Sequence, residues 1–117
     1  MTYVDGFVLA VPKNRVADYR KVARKAGKLW MEHGALSYVE CVADDVPTGK
    51  LTSFTKAVKL KRGETVIFAW ITYKTRRHRD SVNKKVLADP RLDTDMTNAP
   101  FDAKRMIYGG FKGLIEL

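Results

Sequence analysis

Apolar residues recur along this chain in two rhythms, and the switches between them predict its elements. Residues 3–11, YVDGFVLAV, are aromatic and β-branched and are closed by Pro12, as a strand would be. Over about residues 14–33, Val16, Tyr19, Ala23, Ala26 and Trp30 return at steps of three and four and so form one stripe of a helix. Arg20, Lys21, Arg24, Lys25 and Lys28 fall mostly on its opposite side, and Gly34 is placed to end it as a left-handed cap. Residues 35–43, ALSYVECVA, predict a second strand. After the polar turn DDVPTG, Phe54, Ala57 and Val58 have helical spacing, which predicts a short helix or an irregular excursion over 51–60. TVIFAWITY, residues 65–73, is the clearest strand. Thr75 is positioned to cap a helix over about 76–88, with Val82, Val86 and Leu87 apolar, and Asp89-Pro90 stops it. Residues 91–103 have no period and read as a loop pinned by Pro100 and Phe101, and 105–117 read as a last strand.

The order is β-α-β-(short helix)-β-α-β. It predicts an α+β, ferredoxin-like βαββαβ domain over residues 1–117, with one antiparallel sheet and both main helices on one face.

Alternation along the strands divides their side chains between two faces. The small apolar sets are Val4, Gly6, Val8, Ala10; Val39, Cys41, Ala43; and Ile67, Ala69, Ile71. These suit packing under the helices, which leaves Tyr3, Asp5, Phe7, Tyr38, Glu40, Phe68 and Trp70 on the other face. In the last strand either Arg105 and Ile107 or Met106 and Tyr108 join that face. So aromatic a face needs a cover: a stacked nucleic acid or a second copy of the same sheet.

Composition narrows the choice. The 117 residues are 45% hydrophobic and 30% charged, which fits one domain with its own core. No apolar run is long enough to cross a bilayer, and the opening residues carry Asp5 without a basic start, so neither membrane insertion nor a secretory leader is expected. The single cysteine, Cys41, permits no intrachain disulfide and suits a reducing cytoplasm. Its strand parity predicts a buried thiol.

A net charge of +9 invites a nucleic-acid reading. The RNA-recognition motif has this element order, and FAWITY resembles the second half of its aromatic third strand. The Lys/Arg-Gly start of that pattern is missing, because Val66 and Ile67 stand there. Asp5 and Glu40, placed on the open face, would repel phosphate. The basic residues, including Arg76, Arg77, Arg79, Lys84 and Lys85, are assigned to solvated helix surfaces, with weak non-specific nucleic-acid binding through those helices as the alternative.

YVDGFVLAVP, ECVADDVPTGK, VIFAWITY, ADPR and PFDAKRMIYGGF together resemble the YbaA-like family of uncharacterised bacterial proteins, in matching order over nearly the whole chain. The resemblance implies a homodimeric α+β barrel closed through the sheet face. It implies no activity, and kinship at the level of a fold does not carry chemistry.

The candidate chemistry is sparse. Asp5 and Glu40 are candidate bases if a barrel desolvates them, with Arg105 a third candidate catalytic residue beside them; in the simpler reading Arg105 or Lys104 is only an ion-pair partner. Tyr38, Trp70 and Tyr108 are candidate walls of a pocket for an aromatic molecule, and dimer core in the simpler reading. A cofactor-free oxidation or isomerisation would be the enzymatic version. His33 sits where a cation favours the helix dipole, and His78 is expected to be exposed among arginines; neither has a second histidine at ligand spacing. Asp44 and Asp45 are explained by an Asx-type turn. Gly109 and Gly110 lie within a strand and not between a strand and a helix, so they signal close backbone approach and not a phosphate loop. No metal and no cofactor is expected.

Overall fold

The predicted order of strands and helices is present in the computed structural model, which describes residues 2–117. β1 (Tyr3–Pro12), β2 (Ser37–Val42), β3 (Glu64–Tyr73) and β4 (Ile107–Lys112) form one antiparallel sheet in the order β2-β3-β1-β4. α1 (Val16–Glu32) and α3 (Arg76–Leu87) cover one face, and α2 (Phe54–Ala57) is the short insert. This is the ferredoxin-like arrangement.

The ends of the elements follow local chemistry. The chain leaves β1 through a tight turn at Lys13–Arg15, so α1 starts at Val16, the first residue of its apolar stripe, and not at about residue 14 as predicted. Gly34 takes the cap position with φ 114°, and Ala35 N–H returns to the Trp30 carbonyl at 3.0 Å. Thr75 Oγ1 accepts from His78 N–H at 3.0 Å, as an N-cap should. β4 is shorter than predicted because Ala103–Arg105 form a tight turn before it and because Lys112 lies opposite Tyr3, where β1 begins; beyond Lys112 the chain is held by Gly113 N–H to the Thr2 carbonyl and by Thr2 N–H to the Glu116 side chain.

The assignment of faces needs correction in two strands. β3 is as predicted: Ile67, Ala69 and Ile71 face the helices, and Phe68 and Trp70 face away. The register then fixes its neighbours. Asp5 pairs with Ile71 and Phe7 with Ala69, so Tyr3, Asp5, Phe7, Leu9 and Val11 lie on the helix side. Tyr38 pairs with Ile71 and Glu40 with Ala69, which puts them there too. Large side chains fill the wedge between sheet and helices, while Val4, Gly6, Val39 and Cys41 take the open face. Cys41 is exposed, contrary to expectation. α1 passes so close to β2 that a Cβ on Gly27 would lie 2.7 Å from the Tyr38 ring.

The core behind the sheet joins Tyr3, Ile71 and Tyr73 to Leu29, Val82 and Val86, and Leu9, Val11 and Ile67 to Tyr19 and Ala23. The segment between β2 and β3 is not idle. It folds over the open face and buries Val58 completely against Val8, Ala10 and Val66. One end of that face is therefore roofed, and the other is bare.

Candidate functional site

The two candidate carboxylates lie in separate clusters behind the sheet. Asp5 projects from β1 toward α3, where Arg79, Val82, Asn83 and Val86 share one helical stripe. It is 6% exposed, and Arg79 Nη1 donates to its Oδ1 at 2.6 Å. Arg79 also donates to Asp80 at 2.8 Å, and its guanidinium lies 5.0 Å from the Tyr3 ring centre. Trp30 Nε1 donates to Asn83 Oδ1 at 3.0 Å, and the Tyr73 hydroxyl donates to the same oxygen at 3.4 Å. Burial pushes the Asp5 carboxyl above its ordinary value, and the Arg79 charge opposes that rise. The cluster is closed to a substrate and joins strand to helix.

Glu40 sits between α1 and the edge strand β2. Tyr19 donates to one of its oxygens at 2.5 Å and Tyr38 to the other at 2.7 Å. Burial first, and the Glu40 charge second, push both phenols well above the tyrosine range, so both stay protonated. An open cleft of about 390 Å³ lies here, with Arg20 and Arg24 on the helix side and Cys41 on the strand side.

Arg105 partners neither carboxylate. It forms a two-pronged pair with Glu64 at 2.8 and 2.7 Å, donates to Asp102 at 3.0 Å, and reaches the Lys59 carbonyl at 3.1 Å. It thereby bolts the roofing segment to β3 and to the turn before β4. Its hydrogen bonds hold the Glu64 carboxyl below the usual range. A carboxylate with a lowered folded pKa stabilises the fold above its unfolded value, and that contribution is lost as pH falls through the folded value. Arg105→Ala is expected to cost about 2 kcal/mol at neutral pH and to flatten the loss of stability between pH 5 and 3. Urea unfolding across that range checks both; an unchanged slope would remove Glu64 from the account.

The histidines are structural. His33 Nε2 meets Asp89 at 2.8 Å, and Arg91 links Asp89 to Glu32. His78 is not exposed as expected: its ring meets Tyr73 edge-on, and its Nδ1 accepts from Lys74 N–H at 3.0 Å. Among the described residues no cluster of three His, Cys, Asp or Glu could hold a metal.

The candidate aromatic walls are only partly brought together. Tyr38 lies under α1, but Trp70 and Tyr108 border one apolar hollow of about 550 Å³ at the bare end of the open face. Phe54, Phe68 and Trp70 form a row at successive centre distances of 5.7 and 5.6 Å. Phe111, 63% exposed, lies over Gly6 and Gly109, where added Cβ atoms would stand 3.8 and 3.5 Å from its ring. Tyr108 stacks on Phe7 from the outer edge at 6.3 Å. Sixteen strand positions have the parity of this face, and their one charged residue, Glu64, lies at the roofed end with Arg105 as its partner; those at the bare end, Val4, Gly6, Phe68, Trp70, Ile107, Gly109 and Phe111 among them, include no Lys, Arg, Asp, Glu or His. The carboxylates expected beside Trp70 are behind the sheet. Phe54 and Phe111, which the sequence reading left out, are here; the parity of β4 with Phe111 pointing outward could have flagged the second.

Known proteins fit this picture. Residues 2–103 match the family described as protein of unknown function (DUF1428). Over 116 residues the chain is 51% identical to the uncharacterized protein YbaA of Escherichia coli (strain K12), covering 99% of each chain. The same figures hold for the YbaA protein of Shigella flexneri. Among solved structures it is similar to an uncharacterized NIPSNAP domain protein from Burkholderia xenovorans, with TM-score 0.55 and 12% identity, covering 95% of this chain and 93% of that one. At that identity the likeness concerns the fold alone. No helix of the described residues is long and apolar enough to cross a membrane. By the match over most of its length and by its identity to YbaA, the chain belongs to the DUF1428 family.

Proposed function

We propose that the protein works in the cytoplasm as a homodimer closed through its open sheet face, and that it holds a flat apolar or aromatic small molecule between the two sheets. One observation carries this reading: a hollow lined by Val4, Phe68, Trp70, Ile107 and Phe111 stands open to water with no charged side chain in its lining. Such a surface gains by being covered, because water is released from it. Two like faces without charge can meet without desolvating an ion. The single exposed thiol suits a reducing compartment.

The reading favours binding over proton-transfer chemistry. Asp5 and Glu40 point away from the hollow, so no carboxylate faces a molecule held there. An RNA-binding sheet has the stacking aromatics it needs but no strand cation to meet phosphate.

Light scattering is expected to give the mass of two chains at micromolar concentration. Neutral N-phenyl-1-naphthylamine should bind saturably and quench Trp70. Phe68→Asp should weaken the dimer by about a hundredfold or more and abolish dye binding, since it buries an unpaired charge. A monomer at every concentration that takes up no dye would end the proposal.

A further inference from the structure

The bare end of the sheet is small for a stable interface. It spans four strands and about six residues of β1, roughly 20 Å by 20 Å or about 400 Å². A standard interface buries about 800 Å² on each partner. The roofing segment closes the other end of the face, so the missing area must come from elsewhere.

Segment 113–117 is continuous with the bare end. It leaves β4 directly after Phe111 and Lys112, at the end of the sheet where Tyr3 and Tyr73 pair. Two hydrogen bonds hold it in place: Gly113 N–H to the Thr2 carbonyl at 2.7 Å, and Thr2 N–H to Glu116 Oε1 at 2.7 Å. So anchored, it presents Leu114, 86% exposed, and Ile115, 74% exposed, largely to water. Two large apolar side chains held in water by a polar clasp are a poor arrangement for an isolated chain.

We infer that segment 113–117 is an arm captured by the second copy of the chain, with Leu114 and Ile115 packing on the partner and extending the apolar contact past the edge of the sheet. This rests on the dimer reading above. By two-fold symmetry each copy gives one arm and receives one, which doubles the added area and closes the hollow at the end where the roof is missing.

The test uses the full chain carrying Leu114→Ser and Ile115→Ser together. Both sites are exposed and the Glu116 clasp is retained, so the fold should survive, which circular dichroism checks. Sedimentation equilibrium is expected to show the dimer weakened about a hundredfold or more. Glu116→Ala, which frees the arm but keeps its apolar residues, should weaken it by less, about tenfold or under. A wild-type dimer that the double serine variant leaves unchanged overturns the arm and spares the dimer. A wild-type monomer overturns both. A double serine variant of unchanged mass that binds more naphthylamine dye places the arm on its own chain's hollow, and so overturns capture by the partner.

Discussion

Arg79→Ala is expected to lower the unfolding free energy at pH 7.5 by about 3–5 kcal/mol, the range for breaking a buried ion pair from one side. For a domain whose whole stability is of order 5–15 kcal/mol, that is a severe loss. The substitution removes a charge that touches Asp5, Asp80 and the Tyr3 ring, and it leaves the Asp5 carboxylate enclosed without a counter-ion. The sign of the pH dependence follows from burial. The Asp5 carboxyl titrates above its ordinary value in the folded chain, chiefly because it is desolvated, and Arg79 restrains that rise. Without Arg79 it moves further up. A group whose folded pKa lies above its unfolded value contributes most below the unfolded value and loses that contribution as pH rises through the folded one. The Arg79→Ala variant should therefore regain stability between pH 7.5 and pH 5, more than the wild type does. Asp5→Asn should cost less than Arg79→Ala, because a neutral amide suits a site that already disfavours charge. Urea midpoints at the two pH values decide the matter. Equal losses for both variants, with no pH dependence, would show that the pair is not governed by desolvation.

Gly110→Val should destabilise the fold by about 3 kcal/mol, while Gly109→Ala should cost under about 1 kcal/mol. The two glycines are neighbours in β4 but face opposite sides of the sheet. A Cβ on Gly110 would stand 2.3 Å from the Tyr3 hydroxyl and 2.9 Å from two of its ring atoms. Tyr3 is buried, and its ring lies under the Arg79 guanidinium, so it has no room to swing away. A Cβ on Gly109 would meet only the Phe111 ring, at 3.5 Å, which is ordinary contact on an exposed face. Thermal unfolding of the two variants side by side checks the contrast. Similar losses at both positions would mean that β4 shifts as a unit and that Tyr3 is not the barrier.

Much of the fold is legible in the sequence because it is set by local pattern. TVIFAWITY can hardly be other than a strand, Thr75 lies one residue before its helix, and Gly34 follows the last apolar position of α1. The faces are less legible. Alternation sorts residues into two sets but does not say which set lies under a helix, and sizing the sets inverted β1 and β2. Pairing decides it, since Asp5 opposite Ile71 must share the side that Ile71 takes. Arg79 was readable in principle, because Arg79, Val82, Asn83 and Val86 have the spacing of one buried stripe; the basic run RRHR masked it as a solvated surface. The pairing of Arg105 with Glu64 and the need for Gly110 were not readable. Each depends on a residue far along the chain, and only the sheet register brings the partners together. The same limit hid the separation of the carboxylates from Trp70.

The roof over one end of the open face has a further consequence. The bare part of the sheet has no charge to mark position along its strands, and in the proposed dimer an identical sheet laid on it could sit at any of several offsets two residues apart. Val58 and its segment form a raised kerb across one end, held down by Arg105. An approaching sheet can slide until it meets that kerb and no further. In the proposed dimer this segment would act as an end-stop, giving the two sheets a single zero point.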